Sequence, residues 1–253
     1  KKIFSSTDLL IAVHCEDEET IKNNLEKYLY EFGEDIPVSK HSSIRSEDAC
    51  YISSSRAISL AKETGARLHV FHLSTGKETK LFSNAELINK KITSEVCIHH
   101  LWFSDKDYKK KGSFIKWNPA IKSKSDQNEL WKALNDDRID IIASDHAPHT
   151  ISEKNNSYLN SPSGGPLVQH SLLALLTAVK KGKISIEKLV QKACHNPAIL
   201  FEISKRGFIK EGYFADLVII NLDAKTKVTK ESLLYKCGWS PFEGITFDAK
   251  IEK

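Results

Sequence analysis

IDIIASDHAPHT, residues 139–150, is the stretch from which the fold can be read. Its first half, Ile139 to Ser144, is a short apolar run of the kind buried on both faces of a parallel sheet. It turns polar abruptly at Asp145. The same pattern recurs upstream. LLIAV (9–13) runs directly into His14, LHVFHL (68–73) carries His72 near its end, and FIKW (114–117), read as a short strand, precedes Asn118. Ile92 to Ile98 is a further strand.

Helical spacing fills the gaps between these runs. Ile21, Leu25, Tyr28, Leu29 and Phe32 mark a helix over 16–32 that stops at Gly33. Residues 33–43 form a loop, and Ser46 and Gly65 bound a second helix over 46–64. Further helices are predicted over 77–89, 126–135, 167–181 and 185–194. ADLVIINL (215–222) is a late strand outside the alternation.

Strand–helix alternation with continuous apolar strands indicates a parallel sheet covered by helices. About four strand–helix units are visible, and a closed barrel of this type needs about twice that. Half a barrel leaves two strand edges unpaired. The chain opens Lys1-Lys2 and contains no Met. On these grounds it is expected to be a fragment of a longer protein.

Composition excludes several function classes. The formal net charge is +4, and arginine is confined to Arg45, Arg56, Arg67, Arg138 and Arg206. Scattered lysine without a glycine-rich phosphate loop or aromatic–basic interleaving argues against nucleic-acid binding. Five cysteines without a C-x-x-C argue against a disulfide framework and for a reducing compartment. The apolar runs fall well short of the ~20 residues of a membrane span. A cytoplasmic protein without membrane or nucleic-acid partners is expected.

In a parallel α/β barrel the C-terminal strand ends converge on one mouth, where active sites lie. His14, His72, Asn118 and Asp145 all occupy such positions. Two imidazoles and a carboxylate suit zinc, which lowers the pKa of water to roughly 7 and polarises carbonyls. A nearby Asp can then carry a proton from water to a leaving nitrogen, the chemistry of amide hydrolysis. Taken singly, each residue has a plainer reading: a hydrogen-bonded structural His, or an Asp that caps a turn. Side-chain parity turns His69 away from His72, toward the helices. By the same parity, at most one of His99 and His100 faces the mouth. His41 and His195 are expected at the surface or in packing, and Cys15 as a small buried residue.

SDHAPHT (144–150) also resembles the strand-8 motif of the dihydroorotases, zinc amidohydrolases of pyrimidine synthesis. HCEDEE (14–19), HVFHLST (69–75), EVCIHHLWFSD (95–105) and KWNPAI (116–121) are similar to the strand-5, strand-6 and strand-7 motifs and the loop that follows. SGGPLVQHSLLALL (163–176), residues 196–221 and KCGWSPFEG (236–244) resemble the family's C-terminal stretch. The wording of 44–63 and WSPFEG are closest to the Bacteroidetes-type enzyme.

The resemblance implies the second half of a (β/α)8 TIM barrel over 1–205 and part of a small flanking β-sandwich over 206–253. It implies a reversible cyclisation of N-carbamoyl-L-aspartate to L-dihydroorotate. His14 and His72 match ligands of the second of two zinc ions. Asp145 matches the residue that ligates the first and serves as general base and acid. Asn118 and His149 match substrate-holding residues, with His149 facing the substrate carboxylate, and Ser163 and Gly164 fall where loop amides meet the substrate. The strand-1 His-x-His, its accompanying arginine and the bridging strand-4 lysine have no match, so the zinc site is incomplete and the chain alone is expected to be inactive. Homodimerisation and association with aspartate transcarbamoylase are implied partners. A hydantoinase- or allantoinase-like enzyme, or a non-catalytic partner of aspartate transcarbamoylase, are the alternatives.

Overall fold

Four parallel strands carry the molecule, and the computed structural model describes all of residues 1–253. They are β1 (Ile11–Val13), β2 (Leu68–Val70), β3 (Ile92–Cys97) and β4 (Ile141–Ala143), hydrogen-bonded in that order. Ile11 stands opposite Leu68, Leu68 opposite Ile92, and Glu95 opposite Ile141. Sequential parallel order needs a crossover after every strand. The long crossovers contain the helices Glu18–Phe32, Glu47–Thr64 and Lys124–Asn135. The fold is therefore α/β with a parallel sheet, as the apolar runs predict.

Local chemistry sets the helix ends, at the predicted C-termini but with the first helix starting at Glu18 instead of residue 16 and the third at Lys124 instead of residue 126. Asp17 accepts from the Thr20 amide and Ser46 from the Ala49 amide, each relieving an orphan N–H of the first turn. Gly65 closes the second helix at φ 71°, a left-handed conformation that costs glycine nothing sterically. Ser123 and Asp126 form a reciprocal capping box.

Other expectations are corrected. Residues 77–89 form two 3-10 turns, Glu78–Leu81 and Leu87–Asn89, instead of one helix. The Glu78 carboxylate turns inward to accept from Ser54 (2.7 Å) and Thr75 (3.0 Å), a demand that overrides helical propensity. Residues 112–115 form a 3-10 turn, and 114–117 pair with no strand. His99 and His100 lie on the helix Ile98–Trp102, so strand parity does not govern them. The helix from Ser185 passes through a π turn (Gln191–His195) into a helix Asn196–Leu200. Of 215–222, Ile220–Asn221 (β5) pairs antiparallel to Lys250–Ile251 (β8), Ile219 adds backbone bonds to Glu252 and Lys253, and the side chains of Leu217, Val218 and Ile219 are exposed. Thr226–Lys227 (β6) pairs with Thr246–Phe247 (β7).

One hydrophobic cluster of 33 buried residues joins the sheet (Leu68, Val70, Val96) to Leu130, Leu134, Leu173 and Leu176. Val228, Phe242 and Phe247 belong to the same cluster, so the C-terminal segment shares the core of the sheet. Within the fold His41, His100 and His170 are buried, and burial pushes their pKa values down to about 3, about 3 and about 4. The unfolded chain binds protons at these rings below about pH 6.5, while the native state does so only near pH 3–4. Stability should thus fall as pH drops through that window, by up to roughly 1.4 kcal/mol per pH unit for each ring. Urea midpoints at pH 6.5, 5.5 and 4.5 test this. A glutamine at His41 can keep both of its hydrogen bonds and should flatten the slope; identical slopes in His41→Gln and wild type would refute the assignment.

Candidate active site

The candidate residues follow the C-terminal ends of the strands. His14 comes directly after β1, His72 two residues after β2, and Asp145 two residues after β4. His72 (φ 35°) and Asp145 (φ 47°) are both held in the left-handed region, which is costly for a non-glycine residue. Such strain, roughly 1–3 kcal/mol per residue, persists where the surroundings over-determine it, commonly at active sites.

His14 and His72 converge. The Nδ1 of His14 lies 3.1 Å from the Nε2 of His72, with the rings nearly perpendicular. Two imidazole nitrogens about 2.0–2.1 Å from one tetrahedral zinc stand roughly 3.3–3.4 Å apart, so the pair fits two corners of such a site. The other nitrogen of His14, Nε2, faces the buried Glu16 carboxylate at 3.2 Å, and Arg45 binds that carboxylate in turn. Burial raises the pKa of Glu16, but bonding to His14 and the charge of Arg45 outweigh it and hold the carboxylate below its usual range. A carboxylate behind a histidine fixes its tautomer and leaves the far nitrogen's lone pair free for a metal. Burial lowers the pKa of His72 to about 4, which keeps it neutral as a ligand must be.

No group of three or more His, Cys, Asp or Glu is placed to hold a metal. Asp145 makes no hydrogen bond to either imidazole. Its pKa is raised, first by burial and then by the charge of Glu95, with His14 opposing. It is thus a half-buried carboxylate shifted toward the range of a useful base.

His149 donates from Nε2 to the Ser163 carbonyl (3.2 Å), and its own carbonyl accepts from Trp239 Nε1 (2.7 Å). Gly164 sits at φ 127°, where a Cβ would come within 2.6 Å of the Ala147 carbonyl, so only glycine fits. The Gly164 N–H is engaged by the Lys116 carbonyl at 2.8 Å. The Asn118 side-chain oxygen is buried without a partner, and so are nitrogens of His72, His99, His100 and Trp117. Orphaned groups at this density are unusual away from a ligand site. A cavity of about 780 Å³ opens beside His149, lined also by His146, Gln169 and Tyr235.

His69 is buried and packs edge-on against Phe201, but Leu68 and Val70 are the β2 residues that join the cluster containing the helices, so His69 faces away from them; the left-handed backbone at His72 breaks the alternation on which the parity expectation rested. It also binds Thr93 Oγ1 (2.9 Å) and Glu95 (3.2 Å). Of the two alternatives for His41, packing holds: it is buried, held by Tyr158 and the Trp117 carbonyl. His195 stacks on Phe208, and Cys15 is buried. Sequence reasoning misses Glu16 and Arg45. The only signal available was an acidic residue two positions after His14 and the scarcity of arginine.

The amidohydrolase family matches residues 2–253. The chain belongs to the amidohydrolase family. Among its relatives, a dihydroorotase of Carboxydothermus hydrogenoformans is 39% identical over 192 residues, covering 76% of this chain and 45% of the relative. A dihydroorotase of Halobacterium salinarum is 32% identical over 242 residues, covering 95% of this chain and 54% of the relative. The solved L-hydantoinase (dihydropyrimidinase) of Arthrobacter aurescens superposes with a TM-score of 0.89 at 28% identity, covering 98% of this chain and 56% of that one. This amidohydrolase chain therefore spans about half the length of the curated relatives it matches. None of its helices is long and apolar enough to cross a membrane.

Proposed function

We propose that the intact protein carrying this chain is a zinc-dependent dihydroorotase of the cytoplasm, acting in pyrimidine biosynthesis. The four sequential parallel strands are then the second half of a (β/α)8 barrel over 1–205. Parallel crossovers share one hand, so unreversed strand order puts the helices on one side, as a barrel requires. Residues 206–253, with their two short antiparallel ribbons, form part of a flanking β-sandwich.

The observation that carries the functional reading is the convergence of His14 Nδ1 and His72 Nε2, backed by Glu16, at the strand ends that also bear Asp145. The curated dihydroorotase relatives support the choice of substrate. His14 and His72 would hold one zinc and Asp145 the other of a pair, each with further ligands from outside these residues. When bound, zinc supplies a Lewis acid and makes hydroxide available near neutral pH.

Asp145 takes a proton from the attacking water. It returns that proton to the ring nitrogen of dihydroorotate as the C–N amide bond breaks, giving carbamoyl aspartate. In the synthetic direction it removes the same proton from the ureido nitrogen. Asn118 offers its unpartnered carboxamide to the ring. His149 has one nitrogen committed to the Ser163 carbonyl, and the other faces the substrate carboxylate.

Purified intact protein loaded with zinc should interconvert carbamoyl aspartate and dihydroorotate, followed by ultraviolet absorbance, and should lose activity on chelation. The hydantoinase neighbour supports a second reading, cyclic amide hydrolysis of a neutral ring. Turnover of hydantoin but not of dihydroorotate would favour it. His149→Ala should raise the KM for dihydroorotate by roughly 10- to 100-fold, the loss of one charge-assisted bond, with a smaller effect on kcat. An unchanged KM removes His149 from the carboxylate site. Homodimerisation and association with aspartate transcarbamoylase belong to the same reading, and gel filtration with and without that enzyme tests both.

A further inference from the structure

Two lysines lie buried beneath the loop that carries Ser163 and Gly164. Lys154 is 0% exposed, and its ammonium donates to the carbonyls of Pro162 (2.8 Å), Gly164 (2.9 Å) and Lys116 (3.5 Å). Lys116 donates to the carbonyls of Tyr158 (2.7 Å) and Ser161 (2.5 Å). The Lys116 carbonyl in turn accepts the Gly164 N–H, and Ser161 Oγ returns to the Lys154 carbonyl at 3.3 Å.

Neither ammonium is paired with a carboxylate; each binds backbone carbonyls and faces an aromatic ring, Lys116 at 4.5 Å from the Tyr158 centroid and Lys154 at 5.9 Å from that of Trp239. A buried unpaired cation is expensive, and an apolar side chain would fill the same space at lower cost. Burial, with repulsion between the two lysines for Lys154 and from Arg45 for Lys116, pushes their pKa values down to about 7 and about 8.

Peptide planarity gives the arrangement a direction. In a trans peptide the C=O and the following N–H point opposite ways. Drawing the Pro162 carbonyl down onto Lys154 turns the Ser163 N–H up, away from the ammonium. The Ser163 N–H makes no backbone hydrogen bond, whereas the Gly164 N–H is occupied. His149 grips the same residue through its carbonyl.

We propose that Lys154, seconded by Lys116, is a positioning and specificity-determining residue for a carboxylate-bearing substrate. The two lysines draw the carbonyls of Tyr158, Ser161, Pro162 and Gly164 inward, and Lys154 thereby presents the Ser163 N–H to the substrate anion with positive charge beneath it. This inference rests on the dihydroorotase reading for the identity of the anion, but not for the clamp itself.

The test is Lys154→Met in the intact protein, with Lys116→Met as the second variant should the first not fold. Hydrogen exchange at the Gly164 amide is expected to quicken at least tenfold while the β1–β4 amides keep their protection. The KM for L-dihydroorotate is expected to rise at least tenfold with kcat within threefold, and the KM for its neutral carboxamide to stay unchanged. Unaltered exchange at Gly164 would overturn the clamp, and an equal loss for acid and carboxamide would overturn the specificity role. If the wild-type protein turns over neither compound, the dihydroorotase reading fails and the exchange measurement alone decides the clamp.

Discussion

On the dihydroorotase reading, Asp145→Asn in the intact protein should lower kcat by about 10³-fold, within the range a positioned general acid–base contributes. Asparagine is the informative substitution because it keeps the volume and, like aspartate, tolerates a left-handed backbone. The φ of 47° at this position would penalise most alternatives and blur loss of chemistry with loss of fold. Burial and the nearby Glu95 charge raise the pKa of Asp145, so the native site holds a carboxylate that repels its neighbour. Removing the charge should leave stability unchanged or slightly increased. A kcat within tenfold of wild type, in protein with an unchanged unfolding midpoint, would sink Asp145 as the proton carrier.

On the zinc reading, His72→Asn should abolish high-affinity zinc binding and reduce turnover by at least about 10³-fold, since it removes one of the two imidazoles that converge to hold the metal. Asparagine again suits the backbone, here at φ 35°. Glu16→Gln should have a graded effect. It leaves both ligating nitrogens in place but weakens the partner that orients His14, a change expected to cost roughly 10- to 100-fold in metal affinity. Zinc content after dialysis and competition with a chromogenic chelator measure both. Wild-type affinity in His72→Asn would remove His72 from the ligand set. An effect of Glu16→Gln as large as that of His72→Asn would mean that Glu16 is itself a ligand.

The ordering of these effects follows from geometry that only partly shows in the chain. His14, His72 and Asp145 are legible because each breaks an apolar run at its polar end, and a parallel sheet brings such ends to one side. Glu16 is close in sequence to His14, yet nothing local says that its carboxylate turns back to the imidazole or that Arg45 closes on it. Lys116 and Lys154 read as two more surface lysines until the loop of 158–164 is seen folded over them.

What the sequence determined by itself is what short-range physics decides. Apolar runs gave the strands, 3.6-residue spacing gave the long helices, and Ser46 and Gly65 marked the ends of the second through hydrogen bonds reaching only a few residues. Tertiary structure decided the rest. It broke 77–89 into turns to bury Glu78, moved His99 and His100 onto a helix, and left Leu217, Val218 and Ile219 of a longer apolar run exposed. It also set His14 and His72, 58 residues apart, at 3.1 Å, and His41 against Tyr158 across 117 residues. Periodicity and capping act over a few residues, whereas a contact between distant side chains depends on how the whole chain packs.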